Sequence, residues 1–227
     1  MPEARARTTT FGFVIAFLTL GSCACFLASM HVYPGGNWID VRAPGHDFAR
    51  NFLCDILAPV AQNDVANPVG SRLALAGYLL FACAFALHWW RLPAFLARDN
   101  RRTRFAVRWM GVGSTLAMVA VPLWPPSAEN WLHQIVVYAS GIPGGVAALL
   151  ACVGLWRAGE RAAAGFGAFV LATTLGNGAV YALHMALSGE PTVVLPLLQR
   201  IGAVSMVAWV LALAARHLQP ARQTATS

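Results

Sequence analysis

Lysine is absent from this 227-residue chain, and all 16 of its basic residues are arginine. Without a lysine there is no amine for a retinal or pyridoxal Schiff base and no Gly-Lys-Ser/Thr phosphate loop, so those chemistries are closed. Charge of either sign is scarce: 11% of the residues are charged, against about a quarter in a soluble domain. Cysteine is sparse and has no CxxC or disulfide spacing. Cys23, Cys25, Cys83 and Cys152 fall in apolar runs, where a thiol behaves as a small hydrophobe. Only Cys54 lies in a polar segment, and it too reads as a packed small side chain.

What remains is apolar. Hydrophobic residues make up 58% of the chain, and its mean hydropathy is +0.58. A helix crosses the hydrocarbon core with about 20 mainly apolar residues, and six such stretches can be placed. They run over Phe11–Tyr33, Leu73–Trp90, Phe105–Trp124, Trp131–Trp156, Ala162–Leu187 and Val193–His217. The expected fold is all-α: one six-span transmembrane domain over 11–218, with short tails at 1–10 and 219–227. Arg5 and Arg7 before an apolar run also suit a signal peptide, but the run is longer than a signal core of about 7–15 residues and is read as the first span.

The net charge of +7 is an orientation signal rather than a nucleic-acid footprint. Arg91, Arg98, Arg101, Arg102, Arg104 and Arg108 lie between spans two and three, Arg157 and Arg161 follow span four, and Arg5, Arg7, Arg216 and Arg222 flank the termini. The positive-inside rule then places both termini in the cytoplasm and the protein in the plasma membrane. Small residues such as Gly111, Gly141, Gly145, Gly165 and Gly176 allow close helix approach and a possible homo-oligomer. Pro143 is expected to kink span four.

The acidic residues are concentrated. Four of the nine, Asp40, Asp47, Asp55 and Asp64, lie in "YPGGNWIDVRAPGHDFARNFLCDILAPVAQNDVANP" between the first two spans. Phe48, Phe52, Leu53, Ile56, Leu57 and Val60 recur there at helical spacing, which predicts an amphipathic surface helix with Asp47, Asn51 and Asp55 on one stripe. Counting depth along each span brings His31, His133, Gln134, Tyr138, Tyr181, His184, Gln199 and Arg200 to the same outer boundary. Asn177, Tyr181 and His184 share one helix face. An arginine in the membrane needs a partner, and Asp55 is the first choice for Arg200, Glu190 the second. His46 reads as a solvated turn residue, His88 and His217 as interfacial ones.

"YPGGNWID", "NFLCDI" and "ANPVGSRLALAGYLL" resemble the bacterial and archaeal membrane family known as domain of unknown function 998. Its members carry a Tyr-Pro-Gly-Gly-like turn, an Asn-x-x-Ser-Asp element and an Asn-Pro segment before the second helix. The matching positions are Tyr33–Gly36, Asn51 to Asp55 and Asn67–Pro68, with Cys54 at the usual serine. The resemblance implies a six-helix fold, a distant kinship with six-span eukaryotic membrane proteins, and no established activity.

Three functional classes follow. The first is a membrane protein with an outward-facing polar pocket for a lipid headgroup or small solute, lined by Asn51, Asp55, His133, Tyr138, Asn177, Tyr181, His184 and Arg200. The second is a membrane-embedded zinc hydrolase, similar in outline to the alkaline ceramidase and progestin-receptor superfamily. There His31, His133, His184 and Asp55 would supply three ligands and leave one position open for water, although that superfamily's His-x-x-x-His pair is absent. The third is a transporter, although no span carries a mid-membrane carboxylate. Beside these stands haem-based electron transfer, with His88 and His217 at the inner side and His133 and His184 at the outer.

Overall fold

A computed structural model of the chain describes residues 2–97, 100–123, 131–187 and 189–218, without the side chains of 2–8, 131, 133 and 134. Arg98, Glu129 and Arg222 lie outside the described residues. Six helices make the fold: α1 (Pro2–His31), α2 (Pro68–Arg91), α3 (Arg101–Val119), α4 (Trp131–Arg157), α5 (Arg161–Leu187) and α6 (Val194–Leu218). Each contains a stretch long and apolar enough to cross a membrane, so the chain is a multi-pass membrane protein. The first helix already begins at Pro2, so the expected tail is largely helical.

Local chemistry sets the helix ends. Pro68 occupies the first turn of α2, where its missing N–H costs no hydrogen bond. Asn100 caps α3 by accepting the Thr103 N–H at 3.0 Å. Gly159 (φ +82°) ends α4, with the Glu160 N–H returning 2.9 Å to the Leu155 carbonyl. Pro143 lies inside α4, and the Ser114 hydroxyl donates at 2.6 Å to the Ser140 carbonyl one turn before it.

Each helix packs on its chain neighbours, and α6 closes the ring on α1. A Cβ added at Gly12 would meet Ala214, His217 and Leu218, so α1 starts at the end of the bundle where α6 finishes. That end also carries the arginines of the α2–α3 and α4–α5 connections and is called the arginine-rich end below. Its core is built on Trp89, Trp209, Leu92, Val107, Leu155 and Leu213. Close approach there uses Gly111 against the Trp89 ring and Gly167 against Trp209 and Cys152. By contrast Gly141, Gly165 and Gly176 face open space, so packing within the chain does not explain them.

His88 and His217, near the ends of α2 and α6, do not face outward from the bundle. Both are buried, His88 with its ring centroid 5.2 Å from that of Trp209 and His217 with its ring 4.4 Å from Phe95. Their position near helix ends suggested the interface, but α2 and α6 are the most deeply packed spans.

The opposite end is covered by residues 32–67. The amphipathic helix expected there is reduced to one 3-10 turn, Asp55–Leu57. Asp47 Oδ1 on Ala49 N and Asn51 Oδ1 on Asp47 N serve first-turn donors at 2.9 Å, but Asp55 Oδ2 takes the Phe52 N–H at 2.8 Å, a donor that a continuing helix would need. Two isolated bridges, Gly35 to Pro44 and Val60 to Ala66, fold the segment into a compact cap. Gly36 (φ +78°) forms its first turn, where a Cβ would strike the Gln62 and Asn63 backbone.

Candidate functional site at the loop-covered end

The loop's carboxylates have separate tasks. Asp40 and Asp47 close local turns, accepting from Arg42 N and Ala49 N at 2.9 Å, and Asp47 also meets exposed Arg50 at 3.3 Å. Asp64 adopts the left-handed conformation at a turn (φ 63°). Asp55 is different. It is 3% exposed, and its carboxylate accepts from Asn51 Nδ2 (3.0 Å), Phe52 N (2.8 Å) and Gln62 Nε2 (3.1 Å). Burial lifts its carboxyl above the usual range, while those hydrogen bonds and the charge of Arg200 pull it back down.

Arg200 enters this cap from α6, also at 3% exposure. Its Nη2 donates to His46 Nε2 at 3.0 Å and to the Asn51 carbonyl at 3.1 Å. Phe48 lies over the guanidinium at 4.9 Å. Next to it, Gln199 Oε1 accepts the Leu53 N–H at 2.6 Å, and Tyr181 of α5 meets the edge of Phe52. Arg200 Nε and Nη1 are buried without an acceptor among the described residues.

The expected pair of Arg200 with Asp55 is therefore not direct. Among the described residues the ion pairs are Arg50–Asp47 and Arg216–Glu160, and Arg200 is in neither. Asp55 acts on Arg200 through space, while Asn51 touches both, through its side chain to one and its carbonyl to the other. Nor is His46 a solvated turn residue. Burial, then the charge of Arg200, pull its imidazole down to about 4, so it is neutral and able to accept a hydrogen bond at pH 7. The signal for it lay in the turn residues Pro44 and Gly45, which fold the loop back over α6. Gln62, the third side-chain or backbone donor to Asp55, carried no distinguishing signal at all.

The other candidates disperse. His184 Nε2 is 2.6 Å from the Glu190 carbonyl, which ties it to the α5–α6 connection. Tyr138 is exposed, and Asn177 is half-buried with no side-chain hydrogen bond among the described residues. His31 is exposed at the end of α1, and the side chain of His133 lies outside the described residues. Among the described residues no three of His, Cys, Asp or Glu converge as metal ligands, and the Asp55 oxygens are already taken by N–H donors. Among the described residues, then, His31, His184 and Asp55 do not come together as ligands. Cys54 is pushed up to about 12, by burial first and then by Asp55, so its sulfur is a thiol rather than a thiolate.

The three segments that carry the sequence resemblance meet in this cap. Asn51 Nδ2 donates to the Gly36 carbonyl at 2.8 Å. The Tyr33 hydroxyl accepts the Gln62 N–H at 3.0 Å. Asn67 Nδ2 reaches the Ala58 and Ile56 carbonyls at 3.0 and 3.3 Å, tying the start of α2 to the turn after Asp55. Comparison with protein-family models, with curated proteins and with solved structures finds no match.

Proposed function

We propose that this multi-pass membrane protein binds an anionic group at its loop-covered end, with Arg200 as the cation that holds it. The observation that carries this reading is the pair of buried guanidinium nitrogens, Nε and Nη1, that have no acceptor among the described residues. A buried charge with unmet donors is costly, and a phosphate or carboxylate oxygen meets two guanidinium donors at once. Phe48, which covers the guanidinium, is itself 54% exposed. A change of its rotamer opens the charge to the membrane boundary, where lipid headgroups lie. Asn51 and Asp55 are positioning residues here: they fix the loop carbonyl and the field that orient Arg200.

The arginine distribution supports cytoplasmic termini in a plasma membrane, and hence an outward-facing site. The mutual bonding of the Tyr33–Gly36, Asn51–Asp55 and Asn67–Pro68 segments supports membership of the domain of unknown function 998 family, because it gives those motif residues one shared structural task.

The test is Arg200→Ala in mild detergent, read by thermal melting and by mass spectrometry of co-purified lipid. The expected outcome is a lower melting temperature together with loss of an anionic lipid or solute that the wild type retains. Unchanged melting with unchanged lipid content would falsify the reading.

A further inference from the structure

Two clefts meet at the arginine-rich end, far along the bundle from Arg200. One, of about 280 Å³, lies between the start of α3 and the last turns of α4, with Asn100, Thr103, Gly154 and Arg157 on its walls. The second, of about 350 Å³, is an almost wholly apolar groove between α4 and α5, walled by Leu149, Trp156, Gly165 and Ala168. They share Val153 and Arg157. A cleft that carries Asn100, Thr103 and Arg157 among apolar walls, joined through that arginine to an almost wholly apolar groove, has the amphiphilic pattern of a lipid, charged at one end and hydrocarbon at the other.

Most arginines nearby have a partner, and exposed Arg101 and Arg102 line neither cleft. Arg91 lies over Phe11, Arg108 over Trp90 and Arg161 over Trp156. Arg104 donates to the Pro93 carbonyl at 3.0 Å, and Arg216 is paired with Glu160. The Arg157 guanidinium has no partner among the described residues, and it alone of these lines both clefts. Asn100 uses its oxygen on the α3 cap, and its amide N–H groups, which meet no acceptor among the described residues, line the same cleft as Arg157.

We propose that this end holds a phospholipid with an anionic headgroup, its phosphate on Arg157 and Asn100 and one acyl chain in the α4–α5 groove. Basic pockets between spanning helices recognise such headgroups, and the apolar groove gives one acyl chain a surface to pack against. The inference does not depend on the reading of Arg200.

The experiment places the protein in phosphatidylcholine nanodiscs doped with phosphatidylglycerol and measures retained lipid by native mass spectrometry after extraction. Arg157→Gln is expected to lower retained phosphatidylglycerol roughly tenfold, the loss of a hydrogen bond to a charged group, and Arg157→Lys to restore part of it. Gly165→Leu fills the groove at a position where a Cβ meets nothing within 4 Å, and is expected to lower retention of both lipids. Should that variant not fold, Ala168→Leu tests the same groove. Arg101→Gln removes the same charge from an exposed residue that lines neither cleft, and is expected to retain lipid as the wild type does. Equal losses in Arg101→Gln and Arg157→Gln would show only diffuse attraction and overturn the proposal. So would displacement of the lipid by soluble glycerol 3-phosphate with Gly165→Leu silent, because the ligand would then be the free anion.

Discussion

The two ends of the bundle are held together by different physics. At the arginine-rich end the core is aromatic and aliphatic, with Trp89 and Trp209 each 2% exposed and glycines drawn up against their rings. At the loop-covered end the apolar cluster is small, Tyr33, Ile56, Ala61 and Ala74, and order comes from side chains bonded to the backbone, chiefly Asn51, Asp55 and Asn67. Dispersion and burial tolerate polar change at a distance but not lost or added volume. A buried hydrogen-bond network has the opposite sensitivity, because each orphaned donor carries its full desolvation cost. The contrast fits where the charges lie: buried Arg200 meets the Asn51 carbonyl and a neutral imidazole, whereas Arg157 stays at an open cleft.

The largest effect should come from the loop carboxylate. Asp55→Ala leaves Phe52 N and Gln62 Nε2 without acceptors, while Asn51 Nδ2 keeps the Gly36 carbonyl. The expected cost is about 2–4 kcal/mol, together with faster proteolysis across residues 34–67. A variant that melts as the wild type does and resists protease equally would mean the loop is ordered by something other than this network.

Next comes a change of volume alone at the other end. A Cβ at Gly111 would sit 2.3 Å from the Trp89 ring, and Trp89 has no free space to yield. Gly111→Ala should cost about 1–3 kcal/mol. Gly113→Ala, where nothing lies within 4 Å, should instead gain up to about 0.5–1 kcal/mol from helix propensity. Similar melting temperatures for the two variants would break the claim that packing holds this end.

A third effect is one of pH. His46 in the fold is pulled down to about 4 from an ordinary 6.5, so its neutral ring contributes stability above 6.5 that is lost as pH falls through 4. Asp55 runs the other way: its raised carboxyl favours the fold in acid and gives that up as pH rises through the raised value. Asp47 also faces His46 and raises its value, against Arg200, which lowers it. His46→Gln keeps an acceptor for Arg200 but cannot titrate. It should flatten the decline in melting temperature between pH 6.5 and 4, leaving the opposite Asp55 trend, and an unaltered profile would assign the titration elsewhere.

Much of this arrangement was legible before any coordinates. The spans follow from hydropathy, because a helix in lipid satisfies its own backbone whatever its neighbours do. Arg200 stood out because a cation so far into an apolar run needs company, and the i, i+4 spacing of Asn51 and Asp55 survived as a real contact. The supposed loop helix did not survive. Periodicity registers which side chains are apolar but not which side-chain oxygens capture backbone N–H groups, and here Asp55 captures that of Phe52. The partner of Arg200 was misjudged for a related reason: attraction between opposite charges is obvious in a sequence, whereas a neutral histidine and a backbone carbonyl are not. His88 and His217 were placed at the interface by their distance along the helix, which says nothing of the face on which Trp89 and Trp209 bring α2 and α6 together.

The smallest expected effect is also the sharpest test of the contrast. Glu160 accepts Arg216 across the α4–α5 turn and the end of α6, and each side chain is about a third exposed (31% and 33%). If the arginine-rich end were held as the loop end is, by polar contacts, removing this carboxylate should cost as much as removing Asp55. An ion pair open to solvent is worth roughly 0–1 kcal/mol and is screened by salt. Glu160→Gln should therefore lower the melting temperature in detergent only slightly at low salt and not measurably at high salt. A loss matching that of Asp55→Ala and persisting in salt would mean that both ends depend on their few acids, and that the aromatic core between α2 and α6 fills space without setting stability.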